Sequence, residues 1–249
     1  MSTTLSTSYP AEALVQIGVD EAGRGPLLGR VYAAAVVLPK DDASFRHEDM
    51  KDSKRFHSKK KIRQVAQYIR DHPGVVFSIQ FVEPDVIDSI NIRQAVFQAM
   101  HSAIRNVLKQ TSSSSSQQQN LLLIDGNDFL PYTYLENDAD NEPRWKTVPH
   151  VTIEQGDNQF TCIAAASILA KVAHDDYIAD LCLQYPELIQ RYALDKNVGY
   201  GTRQHLDGIL KYGITPWHRK SFARCRDCVV DKDQPMSVET PLETRCDDP

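Results

Sequence analysis

The sequence predicts an α/β domain: a mixed central sheet of about five strands flanked by helices, with a small helical extension at the C-terminal end. Apolar runs of strand length and helix-length segments follow one another in the order strand, strand, helix, strand, helices, strand, strand, helix. The first two runs are separated by a glycine-rich turn, so the second pairs back on the first. "LLLIDG" at 121–126 is continuously apolar, the pattern of a buried central strand.

Residues 13–20 read as the first strand and "VYAAAVVLP" at 31–39 as the second. Residues 40–57 are polar loop. A helix is predicted over 58–71, with Ser58 as its cap. "VVFSIQFV" at 75–82 is the third strand, Pro84 opens a short helix, and 91–109 is a longer one. "TSSSSSQQQN" at 111–120 has nothing to bury and reads as a flexible insert. The fourth strand, 121–126, ends in Asp125 and Gly126, and 127–147 is a polar excursion. "VTIEQGD" at 151–157 reads as a fifth strand ending in Asp157. The long helix over 160–185 carries alanines that permit close packing on the sheet. The last helix spans 202–213, with Thr202 as cap and Gly213 as stop. Residues 1–12 are expected to be a flexible N-terminus, 13–224 one folded domain, and 225–249 a disordered acidic tail.

A chain of 249 residues suits one domain, and 41% hydrophobic content supplies a core. No apolar run approaches the roughly 18 residues of a membrane span, and residues 1–12 do not read as a secretory signal. The cysteines at 162, 182, 225, 228 and 246 are odd in number and lack framework spacing, which suggests a reducing compartment. Cys225 and Cys228 form one C-x-x-C, and a zinc site needs a second pair that is missing. The net charge of −5 counts mildly against a nucleic-acid binder, but positive charge clusters at 51–63 and 217–226.

Three predicted strands end in acids: Asp20 with Glu21, then Asp125, then Asp157. Carboxylates sharing a cleft repel one another unless cations bind. Hard divalent ions with oxygen ligands relieve that repulsion, and two of them about 4 Å apart activate a water and stabilise a phosphodiester's leaving oxygen. An acid ending a single strand is more often a cap or a turn residue, so spacing alone leaves both readings open. After Glu21 come Gly23, Arg24 and Gly25, a turn that suits an anion. It lacks the Lys-Ser/Thr pair of a P-loop, and the strand that follows excludes the dinucleotide fingerprint. Lys54 and its basic neighbours read either as contacts to a DNA strand or as a solvated helix start.

"GVDEAGRGPLLGRVYAAAVVLP", "DSK" at 52–54, "LLLIDGN" at 121–127, "GDNQFTCIAAASILAKVAHDD" at 156–176, "GYGTRQHL" from 199 and "YGITPWHRKSF" ending at 222 resemble, in order, the blocks of ribonuclease HII, the type 2 ribonuclease H family. The resemblance covers most of residues 13–222. It implies a ribonuclease H-like fold and an endonuclease that hydrolyses the RNA strand of RNA–DNA hybrids and cuts at ribonucleotides embedded in duplex DNA. It further implies a two-ion site for Mg²⁺ or Mn²⁺, products with 3′-hydroxyl and 5′-phosphate ends, and roles in RNA primer removal and ribonucleotide excision repair. The family's catalytic, metal-binding acids fall on Asp20, Glu21, Asp125 and Asp157. Its junction-sensing turn falls on Gly23, Arg24 and Gly25, and its tyrosine on Tyr200. Arg219 lies in a matching block and is expected to contact phosphate or to serve a structural role. Gly-Arg-Gly favours type 2 over the type 3 enzymes, which carry lysine there. The chain departs from the family pattern at Arg30, Gln155 and His174, and none of these is a catalytic acid. A catalytically silent hybrid-binding relative is the alternative, and retention of all four acids argues against it. The implied partners are RNA–DNA hybrids and ribonucleotide-containing DNA, with no membrane. The blocks look bacterial in type, which implies a cytoplasmic monomer. The longer insert and excursion hint at a eukaryotic source, which would admit accessory subunits and a nuclear or organellar setting.

Overall fold

The computed structural model describes residues 4–10, 15–40, 42–111, 119–137, 142–222 and 224–228. Five strands form the central sheet: β1 (Val15–Ala22), β2 (Val31–Val37), β3 (Val76–Val82), β4 (Asn120–Asp125) and β7 (His150–Ile153). Their order is β3-β2-β1-β4-β7. β1 and β3 each pair antiparallel with β2, while β4 pairs parallel with both β1 and β7. The sheet is therefore mixed, as the apolar runs predict.

One face is covered by α3 (Ile92–Thr111), whose buried Ala95, Val96, Ala99, Met100, Ala103, Ile104 and Val107 recur at helical spacing. They pack on Ile17, Val19, Ala33, Ala35, Leu122 and Ile124. The opposite face is covered by α4 (Thr161–Gln184), with α1 (Lys59–Asp71) beside it. Ser58 caps α1 by accepting from Lys61 N, and Pro84 opens α2 (Pro84–Ile90). The first turns of α4 sit unusually close to β1. A Cβ on Gly18 would stand 2.2 Å from the carbonyl carbon of Cys162, so only glycine admits the helix there. Among the described residues no helix is long and apolar enough to cross a membrane.

The C-terminal extension has its own apolar cluster, in which Leu28, Ile178, Leu188, Tyr192, Leu194 and Ile209 meet. It contains α5 (Glu187–Tyr192), α6 (Leu194–Asn197) and α7 (Arg203–Tyr212). Thr202 caps α7 by accepting from His205 N. Helices α5 and α6 are missing from the sequence-based reading because segments of six and four residues are too short for a periodic signal.

Several expectations are corrected. The strand predicted over 151–157 stops at Ile153, and Asp157 lies in a 3-10 turn, Gly156–Asn158, entered through Gln155 at φ 53°. The polar excursion contains an antiparallel hairpin, β5 (Thr133–Asn137) and β6 (Pro143–Thr147), separate from the main sheet. Nearly all its residues are exposed, so it leaves no alternating apolar pattern to read. The described part of the N-terminus is pinned rather than loose: Ser6 N donates to Gln159 O at 2.8 Å, and Tyr9 packs on Phe160. Cys225, expected to begin the tail, is buried against the extension. Residues 112–118 of the Ser/Gln insert and 229–249 of the tail lie outside the described residues.

Candidate active site

The acids gather because of strand register. Val19 is level with Ile124 across the parallel β1–β4 pair, so the next step sets Asp20 beside Asp125. Asp20 lies toward α4, against Ser167, whereas Glu21, the next residue of β1, points to the α3 side and lines a small concavity with Asp125, Arg24 and Arg93. Asp157 arrives from the far side of β7: the backbone N–H groups of Gly156 (2.7 Å) and Asp157 (3.4 Å) donate to Asp125 Oδ1. Asp20 and Asp157 are buried, and Glu21 is largely so.

The electrostatics are those of crowded anions. Burial, then the charges of Glu21 and Asp125, hold the Asp20 carboxyl well above its ordinary value. Burial, then Asp125 and Asp52, push Asp157 up to about 6. Glu21 is also raised by burial, against the pull of the Arg24 guanidinium 3.7 Å away. Lys54 is exposed at the rim. Its partial burial opposes the charge, yet Asp52, Asp157, Asp20 and Asp125 hold its ammonium above the ordinary lysine value. Among the described residues no three His, Cys, Asp or Glu side chains are drawn close enough to chelate an ion as they stand. They border an open cleft instead. A set of oxygen donors whose ionised forms are disfavoured by mutual repulsion suits a hard divalent ion that keeps water and phosphate in its remaining positions.

Residues around these acids escaped the sequence-based assignment. Asn158 Nδ2 donates to both Asp157 Oδ1 (3.2 Å) and Asp52 Oδ2 (3.3 Å), and Asp52 also caps the turn that carries Lys54. The Ser167 hydroxyl lies against Asp20 and bonds the Ser53 hydroxyl at 3.0 Å. The signals were present: "DSK" was legible as a block in which only Lys54 was given a role, and Ser167 is a lone hydroxyl in the apolar run "CIAAASILA".

The Gly-Arg-Gly turn continues directly from the acids. Gly23 takes φ 84°, and a Cβ there would lie 2.5 Å from the His174 ring, so glycine is required on both counts. Arg24 is half exposed. Tyr200, 42% exposed, meets this turn: a Cβ on Gly25 would lie 3.3 Å from its ring. Leu27 N donates to Gly199 O at 2.8 Å, which ties the two segments together. Behind Tyr200 runs a buried histidine pair. Thr215 N donates to His218 Nδ1 (2.9 Å), so the His218 proton sits on Nε2 and is donated to His205 Nε2 (3.0 Å). His205 therefore donates from Nδ1 to Tyr200 O (3.0 Å). Burial lowers both pKa values, His218 to about 3, which keeps the pair neutral and this bond order intact.

Arg219, expected as a substrate contact, has no surface to offer one. It is fully buried, and it donates from Nη2 to Gly23 O (2.6 Å) and Arg30 O (3.1 Å), from Nη1 to Arg24 O (3.0 Å) and from Nε to Gly29 O (2.9 Å). Its role is to shape the Gly-Arg-Gly turn. His174 lies behind the same turn. It is buried, with Nδ1 on Asp175 and, among the described residues, no hydrogen-bond partner at Nε2.

Acids level with one another on adjacent parallel strands of this five-stranded mixed sheet define a ribonuclease H-like enzyme. The family model of ribonuclease HII matches residues 17–225, and the chain belongs to that family, whose members are ribonucleases of the H type. It is 40% identical over 214 residues to a ribonuclease HII of Parabacteroides distasonis, covering 86% of this chain and 92% of that one. It is 39% identical, with the same coverage, to one of Bacteroides thetaiotaomicron. Among solved structures, the ribonuclease H2 of Pyrococcus horikoshii OT3 shares the fold with a TM-score of 0.61 at 21% identity, covering 85% of this chain and 95% of that one.

Proposed function

We propose that the protein is an endonuclease that hydrolyses the RNA strand of RNA–DNA hybrids and cuts at ribonucleotides embedded in duplex DNA. The observation that carries this reading is the continuity of acid cluster, Gly-Arg-Gly turn and Tyr200 along one surface. Asp20, Glu21, Asp125 and Asp157 would hold Mg²⁺ or Mn²⁺, and two such ions would supply water activation and stabilisation of the leaving 3′-oxygen. The residues of the turn do the recognising. The Gly23–Gly25 backbone comes close enough to a nucleotide to hydrogen-bond its 2′-hydroxyl. Arg24 offers two N–H groups to a phosphate. The Tyr200 ring packs on the sugar of the following deoxynucleotide, where a ribose would crowd it. Lys54 adds a cation beside the acids. We extend the reading to a monomer in a reducing cytoplasm, supported by four free thiols among the described residues, and to primer removal and ribonucleotide excision.

The direct test is a DNA duplex carrying one ribonucleotide. Cleavage 5′ of the ribonucleotide in Mg²⁺, with a 3′-hydroxyl product, is expected, and none in excess chelator. Robust cleavage in chelator would overturn the metal requirement.

Tyr200→Ala is expected to lower cleavage at the single ribonucleotide by about 1–3 kcal/mol, roughly five- to 150-fold, by analogy with base stacking on aromatic rings. Tyr200→Phe should retain most activity. Arg24→Ala should weaken the same substrate more than an all-RNA strand in a hybrid. Steady-state rates on both substrates decide this, and an unchanged ratio between them for both alanine variants argues against junction sensing.

A further inference from the structure

A groove of about 700 Å³ lies beside the acid cleft, whose own concavity is about 70 Å³. The two are neighbours, with the buried Phe97 bordering both. The Arg93–Asp128 pair, closed by two hydrogen bonds of 2.6 and 2.7 Å, lines the acid concavity. One wall of the groove is the outer face of α3, where Gln94, Gln98, Ser102 and Arg105 present amide, hydroxyl and guanidinium donors. The other wall is the start of β5 and the residues before it, with Tyr132 and Tyr134 stacked at 6.3 Å. The floor is built rather than loose. His101 Nε2 bonds Leu130 O at 2.7 Å, and the His101 ring packs edge-on against Phe129 and Tyr132. Among the described residues the lining contains a cation and no carboxylate, in a chain whose net charge is −5.

We propose that this groove is a second contact site for the same nucleic acid: it holds the sugar–phosphate strand of one flank of the substrate duplex, on one side of the cleavage position only. This rests on the functional reading above. Hydrogen-bond donors in a row and a cation suit phosphate oxygens, and aromatic walls suit sugars and bases. The dimensions agree. From Gln94 to Arg105 the helix rises about 16 Å, at 1.5 Å per residue, which matches about five nucleotide steps of 3.4 Å along one strand. The separate hairpin, which leaves the main sheet altogether, gains a purpose as the outer wall of this channel. A protein ligand is disfavoured by the nearness of the groove to the acid cleft.

The test uses three duplexes with one ribonucleotide in Mg²⁺. One has short flanks of about four base pairs, and the other two have either the upstream or the downstream flank extended to about twelve, so that only an extended flank reaches Arg105. The parent enzyme is expected to gain in kcat/KM from lengthening one flank and not the other. Arg105→Ala should remove about fivefold of that gain and lower the slope of log KM against log salt on that duplex by about one. Rates on the short duplex and the melting temperature should not change. If Arg105→Ala melts low, Arg105→Gln, which keeps a long polar side chain and removes the charge, makes the same test. An equal gain from both flanks, a gain that survives the variants, or a loss equal on all three duplexes overturns the groove while leaving the cleavage reading intact. A parent enzyme that cuts none of the three overturns the cleavage reading itself, and the groove proposal with it.

Discussion

Asp20→Asn is expected to abolish cleavage and at the same time raise the melting temperature of the metal-free protein at pH 8. On the proposed reading, the change takes away one metal ligand, which would remove several kcal/mol of transition-state stabilisation, on the order of a thousandfold in rate. The gain in stability has a separate cause. Asp20 is buried beside Glu21 and Asp125, and its carboxyl is held well above the ordinary value of 3.8. A carboxyl raised on folding contributes stability that is complete below its unfolded pKa and lost as pH rises through the folded one. For Asp157, raised to about 6, that window runs from 3.8 to about 6. The metal-free parent should therefore lose stability between about pH 4 and pH 7 on account of these acids, and Mg²⁺ should restore it at pH 8. Asparagine keeps the shape and the acceptor oxygen that Glu21 N and Ser167 use, but not the charge. The melting temperature should rise at pH 8, and both the pH-dependent loss and the Mg²⁺-induced rise should shrink. Thermal melts at pH 5 and pH 8, with and without Mg²⁺, read this directly. A variant that cleaves normally, or one that melts lower than the parent at pH 8, defeats the assignment of Asp20 as a repelled metal ligand.

Arg219→Ala is expected to be the most damaging single change outside the acids, through the fold rather than through substrate contact. It strands four backbone carbonyls, those of Gly23, Arg24, Gly29 and Arg30, which share one guanidinium. Buried acceptors left unpaired and the cavity left behind together cost about 3–5 kcal/mol. Burial already lowers the Arg219 pKa to about 10, so the charge itself is held at a cost that these bonds offset. Arg219→Lys should recover little, because an ammonium concentrates its donors at one point and does not span the four carbonyls. Urea denaturation should show both variants unfolding early. Folded protein at low temperature should cut a single ribonucleotide poorly but bind duplex with the parental salt dependence. A variant as stable as the parent whose salt slope falls by about one would instead identify Arg219 as a phosphate contact.

Much of this molecule is legible in short stretches. The continuous apolar run before Asp125 marks a central strand, and β4 is one. Ser58, Pro84 and Thr202 open their helices as caps and first-turn residues do. The alanines of "CIAAASILA" foretell a helix lying close on the sheet, and Gly18 beneath Cys162 shows how close. Such features depend on residues a few positions apart, where backbone geometry alone links sequence to structure. The acids of β1 and β4 belong to the same class, since an acid ending a buried strand must emerge at the sheet's edge.

Other features depend on which distant segments pack together, and no local pattern carries that. Asp157 reaches Asp125 through a 3-10 turn rather than along a strand, because Gln155 turns the chain just after β7. The exposed hairpin has no buried face and hence no periodicity, so only its pairing partner reveals it. Arg219 reads in the sequence as one cation in a basic cluster. It becomes the bolt of the Gly-Arg-Gly turn only because the C-terminal extension folds back and removes it from water, where its donors must find backbone oxygens. The sequence alone determined the strands of the central sheet, the long helices, the family blocks and which acids end the strands of its centre. Tertiary packing decided their distances, the contact of Gly25 with Tyr200, and the burial of Arg219, because burial and close approach are properties of the assembled chain.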